Sequence, residues 1–223
     1  MKWYVFRYLT LLAIGLNCAA GQPITIPGLF NTGVDDSGTV LSLHSVDHHY
    51  AVSGVTSVGY VVPEVSNPPL GWYWHSAPSG SAWIGPNTTD DTAHDDPVGI
   101  YHDTLTLDLT GFNASQVQIS GTWMTDNTGE IWLNGVYSGF SKDQFGYRQP
   151  DPFVLQGGFV SGLNTLEFRV VNYDGPTGLC VANLSASIVP EPTASVLIGL
   201  GLAAWAIVRG SRARAISRRV RLG

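Results

Sequence analysis

Cysteine is scarce in this sequence: Cys18 falls in an apolar leader, and Cys180 is the one thiol left in the body of the chain. No intrachain disulfide can form there, so the fold must rest on its core. Cys180 sits in the apolar stretch Gly178-Leu179-Cys180-Val181-Ala182, which reads as a small buried strand residue and not as a reactive thiol. Basic residues are scarcer still in the middle of the chain. All 17 acidic residues lie between Asp35 and Glu191, against only Lys142, Arg148 and Arg169, a balance of 3 minus 17 or −14. Such a surface repels phosphate backbones, which excludes nucleic acid as a partner, and suits divalent cations and neutral polymers. Catalytic signatures are missing too. The chain has no Gly-x-Ser-x-Gly elbow, no His-Glu-x-x-His helix and no phosphate-cradling glycine loop. Glycoside hydrolysis needs two carboxyls about 5 to 10 Å apart, and no such pair stands out among Glu64, Glu130, Glu167 and the loop aspartates.

Helical spacing is absent between Gln22 and Val189, whereas alternation at period two recurs. Leu105, Leu107 and Leu109 alternate with Thr104, Thr106 and Asp108; Val117, Ile119 and Trp123 alternate with Gln118, Ser120 and Thr122; Leu166, Phe168 and Val170 flank Glu167 and Arg169. These are half-buried strands, and they predict an all-β, antiparallel β-sandwich with one wet face per sheet. Turn chemistry separates them at 108–113, 126–129, 133–136 and 161–164, with Asn134-Gly135 the clearest hairpin turn.

The two ends read as addresses. Lys2 and Arg7 precede an apolar run from Tyr8 to Leu16 and the small residues Ala19-Ala20, so residues 1–20 are expected to be a signal peptide. At the other end, Val189-Pro190-Glu191-Pro192 is followed by sixteen uncharged residues, 193–208, and then by Arg209, Arg212, Arg214, Arg218, Arg219 and Arg221. At 1.5 Å per residue that run spans about 24 Å, a short single membrane-spanning helix. The arginines would hold the tail, 209–223, in the cytoplasm, with the acidic domain, 21–188, outside. This order of Pro-Glu-Pro, span and arginine cluster over residues 189–223 resembles the PEP-CTERM sorting tail of exopolysaccharide-producing bacteria. The basic end runs fifteen residues, longer than the compact end usual in that family. The resemblance implies an exosortase-type membrane protease as processing partner besides signal peptidase, and a protein anchored in the inner membrane before processing, then released to the cell surface or extracellular matrix.

From Tyr101 to Ser187, Trp123-Met124-Thr125-Asp126-Asn127, the Ile131-Trp132-Leu133-Asn134-Gly135 hairpin and the Gly162-Leu163-Asn164-Thr165-Leu166-Glu167-Phe168 strand resemble the galactose-binding-like jelly-roll domains. That resemblance implies a β-sandwich that binds sugar, often with a structural Ca²⁺. Sugar binding needs aromatic faces for stacking, with carboxylates and amides to read hydroxyls. Trp72 and Trp74 lie in an irregular segment, Asn67 to Ser81. Trp132 must face outward if Ile131 and Leu133 face the core. Asp126 and Asn127 occupy a turn. These five are the candidate ligand-binding residues.

Paired carboxylates at Asp35-Asp36 and Asp90-Asp91, with Asp95-Asp96 beside them, are the candidates for a Ca²⁺ site, since a hard cation takes oxygen ligands from turns. In His44-Ser45-Val46-Asp47-His48-His49, a strand would place His44 and His48 on one face and Asp47 and His49 on the other, which splits the ligands a transition metal needs. No cofactor is otherwise expected. The sequence thus reads as a non-catalytic, exported module that contacts extracellular polysaccharide. A structural or adhesive matrix protein without a sugar site, and a polysaccharide-acting hydrolase, are the alternatives.

The sorting expectation is directly testable. Protein recovered from a native host should lose its span near residue 190, whereas a Pro190→Ala/Glu191→Ala/Pro192→Ala variant should retain Arg221, read by intact mass in membrane and medium fractions.

Overall fold

The computed structural model describes residues 21–64, 66–67, 72–88 and 95–189. The expected leader, the pair Asp90-Asp91, and the sorting motif Pro190-Glu191-Pro192 with the span and arginine tail beyond it lie outside the described residues. Among the described residues no helix is long and apolar enough to cross a membrane.

The domain is all-β, and every strand pairing is antiparallel. In chain order its strands are β1 (Gln22–Ile24), β2 (Tyr50–Gly54), β3 (Tyr60–Val61), β4 (Ser66–Asn67), β5 (Trp72–Tyr73), β6 (Ile84–Gly85), β7 (Gly99–Asp108), β8 (Val117–Asp126), β9 (Thr128–Leu133), β10 (Val136–Lys142), β11 (Asp151–Gln156), β12 (Leu163–Asn172) and β13 (Gly178–Ile188). One sheet runs β11-β8-β13-β6-β3, with β1 also paired to β13; the other runs β10-β9-β12-β7-β2. A two-stranded ribbon, β4-β5, stands apart.

Period-two alternation produces this arrangement. Leu105, Leu107, Ile131, Leu133, Leu166, Phe168 and Val170 of one sheet meet Val117, Ile119, Trp123, Phe153, Leu155, Leu179 and Val181 of the other in one core. Phe168 lies at its centre, with ring centroids 5.9 to 6.3 Å from those of Trp123, Phe153 and Tyr50. The Asn134-Gly135 hairpin forms as expected: both residues have positive φ, 51° and 76°, and Val136 pairs with Leu133. Those signs at both central positions match the right-handed twist of the strands they join.

A second apolar cluster lies on the other side of the first sheet. Met124 and Cys180, which point away from the main core, are covered by Trp74, Trp83 and Tyr147. The backbone of β13 makes room for the lid at Gly178, where a Cβ would come within 2.7 Å of the Trp74 ring. Burial raises the Cys180 thiol to about 12, so it is an inert packing residue, as its apolar setting suggested.

The 44–49 segment forms no named strand, only a single bridge from Val46 to Tyr60. The chain there turns, and Asp47 is buried as a loop anchor, its carboxylate accepting from the Gly33 and His49 amides at 2.7 and 2.9 Å. No group of three or more metal-ligating side chains occurs among the described residues.

Asp103 faces inward from β7, where it lines a small, partly open pocket of about 10 Å³ with Tyr101, Val52 and Leu179. Burial, with the nearby Asp47 carboxylate adding repulsion, raises its pKa to about 7. A carboxyl whose folded pKa exceeds its unfolded value of 3.8 contributes stability at low pH, and that contribution is lost as pH rises through about 7. The domain should therefore unfold at lower urea at pH 8 than at pH 5. Asp103→Asn should be more stable than wild type at pH 8 and lose up to about 1.4 kcal/mol per pH unit of this dependence. Equal pH profiles for the two proteins would contradict the assignment.

Candidate functional site

At the end of the sandwich where β8 passes to β9 and β12 to β13, four segments surround a cleft of about 620 Å³. Asp126 and Asn127 come from the β8–β9 turn, Tyr173 to Pro176 from the β12–β13 turn, Gln144, Phe145 and Tyr147 from the β10–β11 connection, and Asp95 from the approach to β7. The sequence-selected pair Asp126-Asn127 thus lies in the wall of a concavity, together with residues from distant parts of the chain.

Hydrogen bonds fix this end of the fold. The Asn127 side chain donates to Asp126 Oδ1 at 2.7 Å and accepts from the Tyr173 amide at 2.8 Å, joining two of the turns. Thr177 Oγ1 donates to the Asp126 carbonyl. Asp96 accepts from the Thr177 amide at 2.8 Å and from Asn87 Nδ2, and Asn172 Nδ2 donates to the Asp96 carbonyl at 3.0 Å. The β10–β11 connection is held by Asp143, which accepts from the Phe145 amide at 2.8 Å, and by the Tyr147 carbonyl, which accepts from the His75 amide at 2.8 Å.

Asp126 is only 4% exposed. Its Oδ2 accepts from the Trp74 indole N–H at 2.6 Å. Burial is the largest influence on this carboxyl and raises its pKa to about 7; the Trp74 and Asn127 donors oppose the rise, and the charges of Asp174 and Asp96 reinforce it. Of the aromatic rings, Tyr173 is 56% exposed and open to solvent. Phe145 is also exposed, but the Arg148 guanidinium lies 4.1 Å from its ring centroid and covers one face. The open tyrosine ring, the carboxylates and the Gln144 amide together offer an apolar face beside hydrogen-bonding groups, the combination that a pyranose requires.

The remaining expectations fare differently. Trp74 is not an exposed platform: it is 3% exposed, packs 4.2 Å from Trp83 and braces Asp126 from below. The irregular segment that carries it folds over Met124 and Cys180, and burying those apolar side chains is what draws the indole inward. Trp72 begins β5, and its side chain lies outside the described residues. Trp132 points away from the core, as the alternation of Ile131 and Leu133 requires, but its ring is already occupied. Arg169 sits 3.6 Å from the ring centroid, Tyr137 is 5.7 Å away, and the indole N–H donates to Glu130 at 2.9 Å. Arg169 is held in turn by Glu167, which also bonds His102 at 2.7 Å, so the outer sheet face is a self-satisfied polar ladder.

Asp35 and Asp36 lie in an exposed turn. Asp35 Oδ1 accepts from the Ser37 amide, the Ser37 hydroxyl and the Thr39 amide at 2.6 to 2.9 Å, which closes a tight turn. Asp36 bonds His49 at 3.0 Å. Tyr173, Asp174, Gln144 and Phe145 were not singled out from the sequence. The available signal was aromatic: Tyr173 sits inside the turn Asn172-Tyr173-Asp174-Gly175-Pro176, and Phe145 inside a polar connection, where a large ring has no core to fill.

No family model and no curated protein matches the chain. Among solved structures, similar chains include a family 35 carbohydrate binding module from an environmental isolate (TM-score 0.35, 10% identity, 66% of this chain and 97% of that one). Another is the CBM36-1 domain of a multidomain xylanase from the hindgut metagenome of Trinervitermes trinervoides (TM-score 0.26, 13% identity, covering 56% and 97%). A third is CBM35 from Paenibacillus barcinonensis (TM-score 0.27, 14% identity, covering 59% and 97%). Likeness at this level transfers neither site nor ligand, so the reading of function rests on the cleft.

Trp74→Phe keeps the ring's bulk but removes the donor to a buried carboxylate. It should cost about 1 to 3 kcal/mol, more at pH 8 than at pH 5 because the ionised form of Asp126 loses most. Urea unfolding at the two pH values measures this, and an equal loss at both would show that the indole does not support the carboxylate.

Proposed function

We propose that this chain is an exported envelope or matrix protein whose β-sandwich, of galactose-binding-like jelly-roll type, binds carbohydrate without catalysing its turnover. The observation that carries the binding reading is the four-segment cleft, in which the exposed Tyr173 ring stands beside Asp126, Asp174, Gln144 and Asp95. Three of its four segments are cross-linked to one another by Asn127, Asp96 and Thr177, which fixes their relative placement. Preorganisation of this kind lowers the ordering cost of binding.

Export and sorting rest on the sequence alone: the leader over residues 1–20, and the Pro190-Glu191-Pro192 motif with its span and arginine cluster. Signal peptidase and an exosortase-type protease are the processing partners in this reading, and an extracellular polysaccharide is the ligand. The absence of a hydrolase motif and the braced role of Asp126 support a binding role over a catalytic one. Asp126 is enclosed by Trp74 and Asn127, and the side chain is held in place as a strut.

The purified full chain should enrich a defined set of saccharides on a glycan array. Tyr173→Ala should weaken that binding about tenfold, the loss expected when one stacking face is removed, with little change in unfolding midpoint because the ring and its 3.3 Å hydroxyl contact to Thr128 are exposed. Failure to enrich any glycan, with or without added Ca²⁺, would leave the domain as a structural or adhesive module.

A further inference from the structure

The charges around the cleft are one-sided. Among the described residues, Asp95, Asp126 and Asp174 line it, and no lysine, arginine or histidine does. Among the described residues the Lys142 ammonium is buried against Asp151 at 2.6 Å and donates to the Gln149 carbonyl, while the Arg148 guanidinium lies outside the lining, over Phe145 at 4.1 Å and Tyr147 at 5.7 Å. Arg148 thus spends its planar face on aromatic packing at the cleft's flank. The rest of the domain carries the same excess of negative charge, so no distant positive field offsets the local one.

We propose that the cleft selects saccharides bearing an ammonium group, oligomers of a hexosamine with a free amine, over their N-acylated forms and over uronate-bearing chains. This inference rests on the carbohydrate reading above and adds the charge class of the ligand. A pyranose laid on the Tyr173 ring brings its ring substituents to the cleft walls, where Asp174 and Asp95 are exposed and Asp126 is buried. An ammonium substituent gains from all three carboxylates and donates three hydrogen bonds. A uronate meets like charge in a partly desolvated concavity, where repulsion is least screened. The buried Asp126 carboxyl gives the same preference from inside. The acidic neighbours Asp174 and Asp96 oppose its ionisation, and a bound cation offsets that repulsion.

The test is calorimetric titration of the full chain, at low and moderate salt, with three probes: a glucosamine tetramer, its fully N-acetylated counterpart and a tetramer of galacturonate. The expected order is glucosamine first, the acetylated tetramer at least fivefold weaker, and the uronate without measurable binding, with the preference shrinking as salt rises. Asp174→Asn should reduce the glucosamine preference about fivefold. Asp108→Asn removes the same charge from the far end of β7, beside Leu163, and should leave the preference intact. Equal affinity for the amine and acetylated tetramers, or tighter binding of the uronate, overturns the charge inference while the carbohydrate reading stands. An equal effect of the two aspartate variants also overturns it, because the preference would then belong to the whole surface and not to the cleft. No binding of any probe by a folded chain that enriches neutral glycans on the array overturns this inference alone; no binding on either platform overturns both.

Discussion

The end of the sandwich that holds the cleft depends on one buried carboxyl. Asp126 terminates β8, and its side chain takes the Trp74 indole on one oxygen and the Asn127 amide on the other, while its own carbonyl accepts from Thr177. Removing a carboxylate from water is costly unless its lone pairs are met. Here the same donors that meet them also tie the β8–β9 turn to the aromatic lid and to the β12–β13 turn. Position and solvation of Asp126 are therefore one problem with one solution. A group that must find its partners in order to be buried also fixes the loops that supply them.

Much of the sandwich is legible in the sequence because half-buried strands carry their own code. The alternation in β7, β8 and β12 maps directly onto core and surface, and the Asn-Gly pair marks a hairpin whose positive φ angles few other residues adopt. What alternation does not encode is a second layer. Met124 occupies a position on β8 that the pattern assigns to the wet face, yet it is buried together with its cross-strand partner Cys180 of β13. Their cover comes from Trp74, Trp83 and Tyr147, residues distant in sequence whose approach no local rule describes. The same lid explains why Trp74 is internal, although its glycine- and proline-rich surroundings suggest exposure.

The site was partly legible for a similar reason. Asp126 and Asn127 stand out because a carboxylate and an amide in a turn are available for polar work. Their partners in the cleft come from three other connections, and only closure of both sheets brings these together. Trp132 shows the opposite case: its outward direction follows from its neighbours, but the covering of its ring by Arg169 depends on cross-strand pairing between β9 and β12, where Arg169 faces Glu130. The turn at Asp35 is local, and Asp35 Oδ1 closes it by taking the Ser37 and Thr39 donors.

The path of the last strand sets how the domain meets its surroundings. β13 starts at Gly178, level with Asp126 beside the cleft, and ends at Ile188, which pairs with Gln22 of β1. Eleven residues of strand at about 3.3 Å each carry the chain roughly 35 Å from the cleft to this point. The first and last strands therefore meet at one pole and the cleft opens at the other. Any tether made through the residues that follow holds the domain like a stalk holds a cup, mouth outward, and a long polymer can cross the rim without first threading past the attachment.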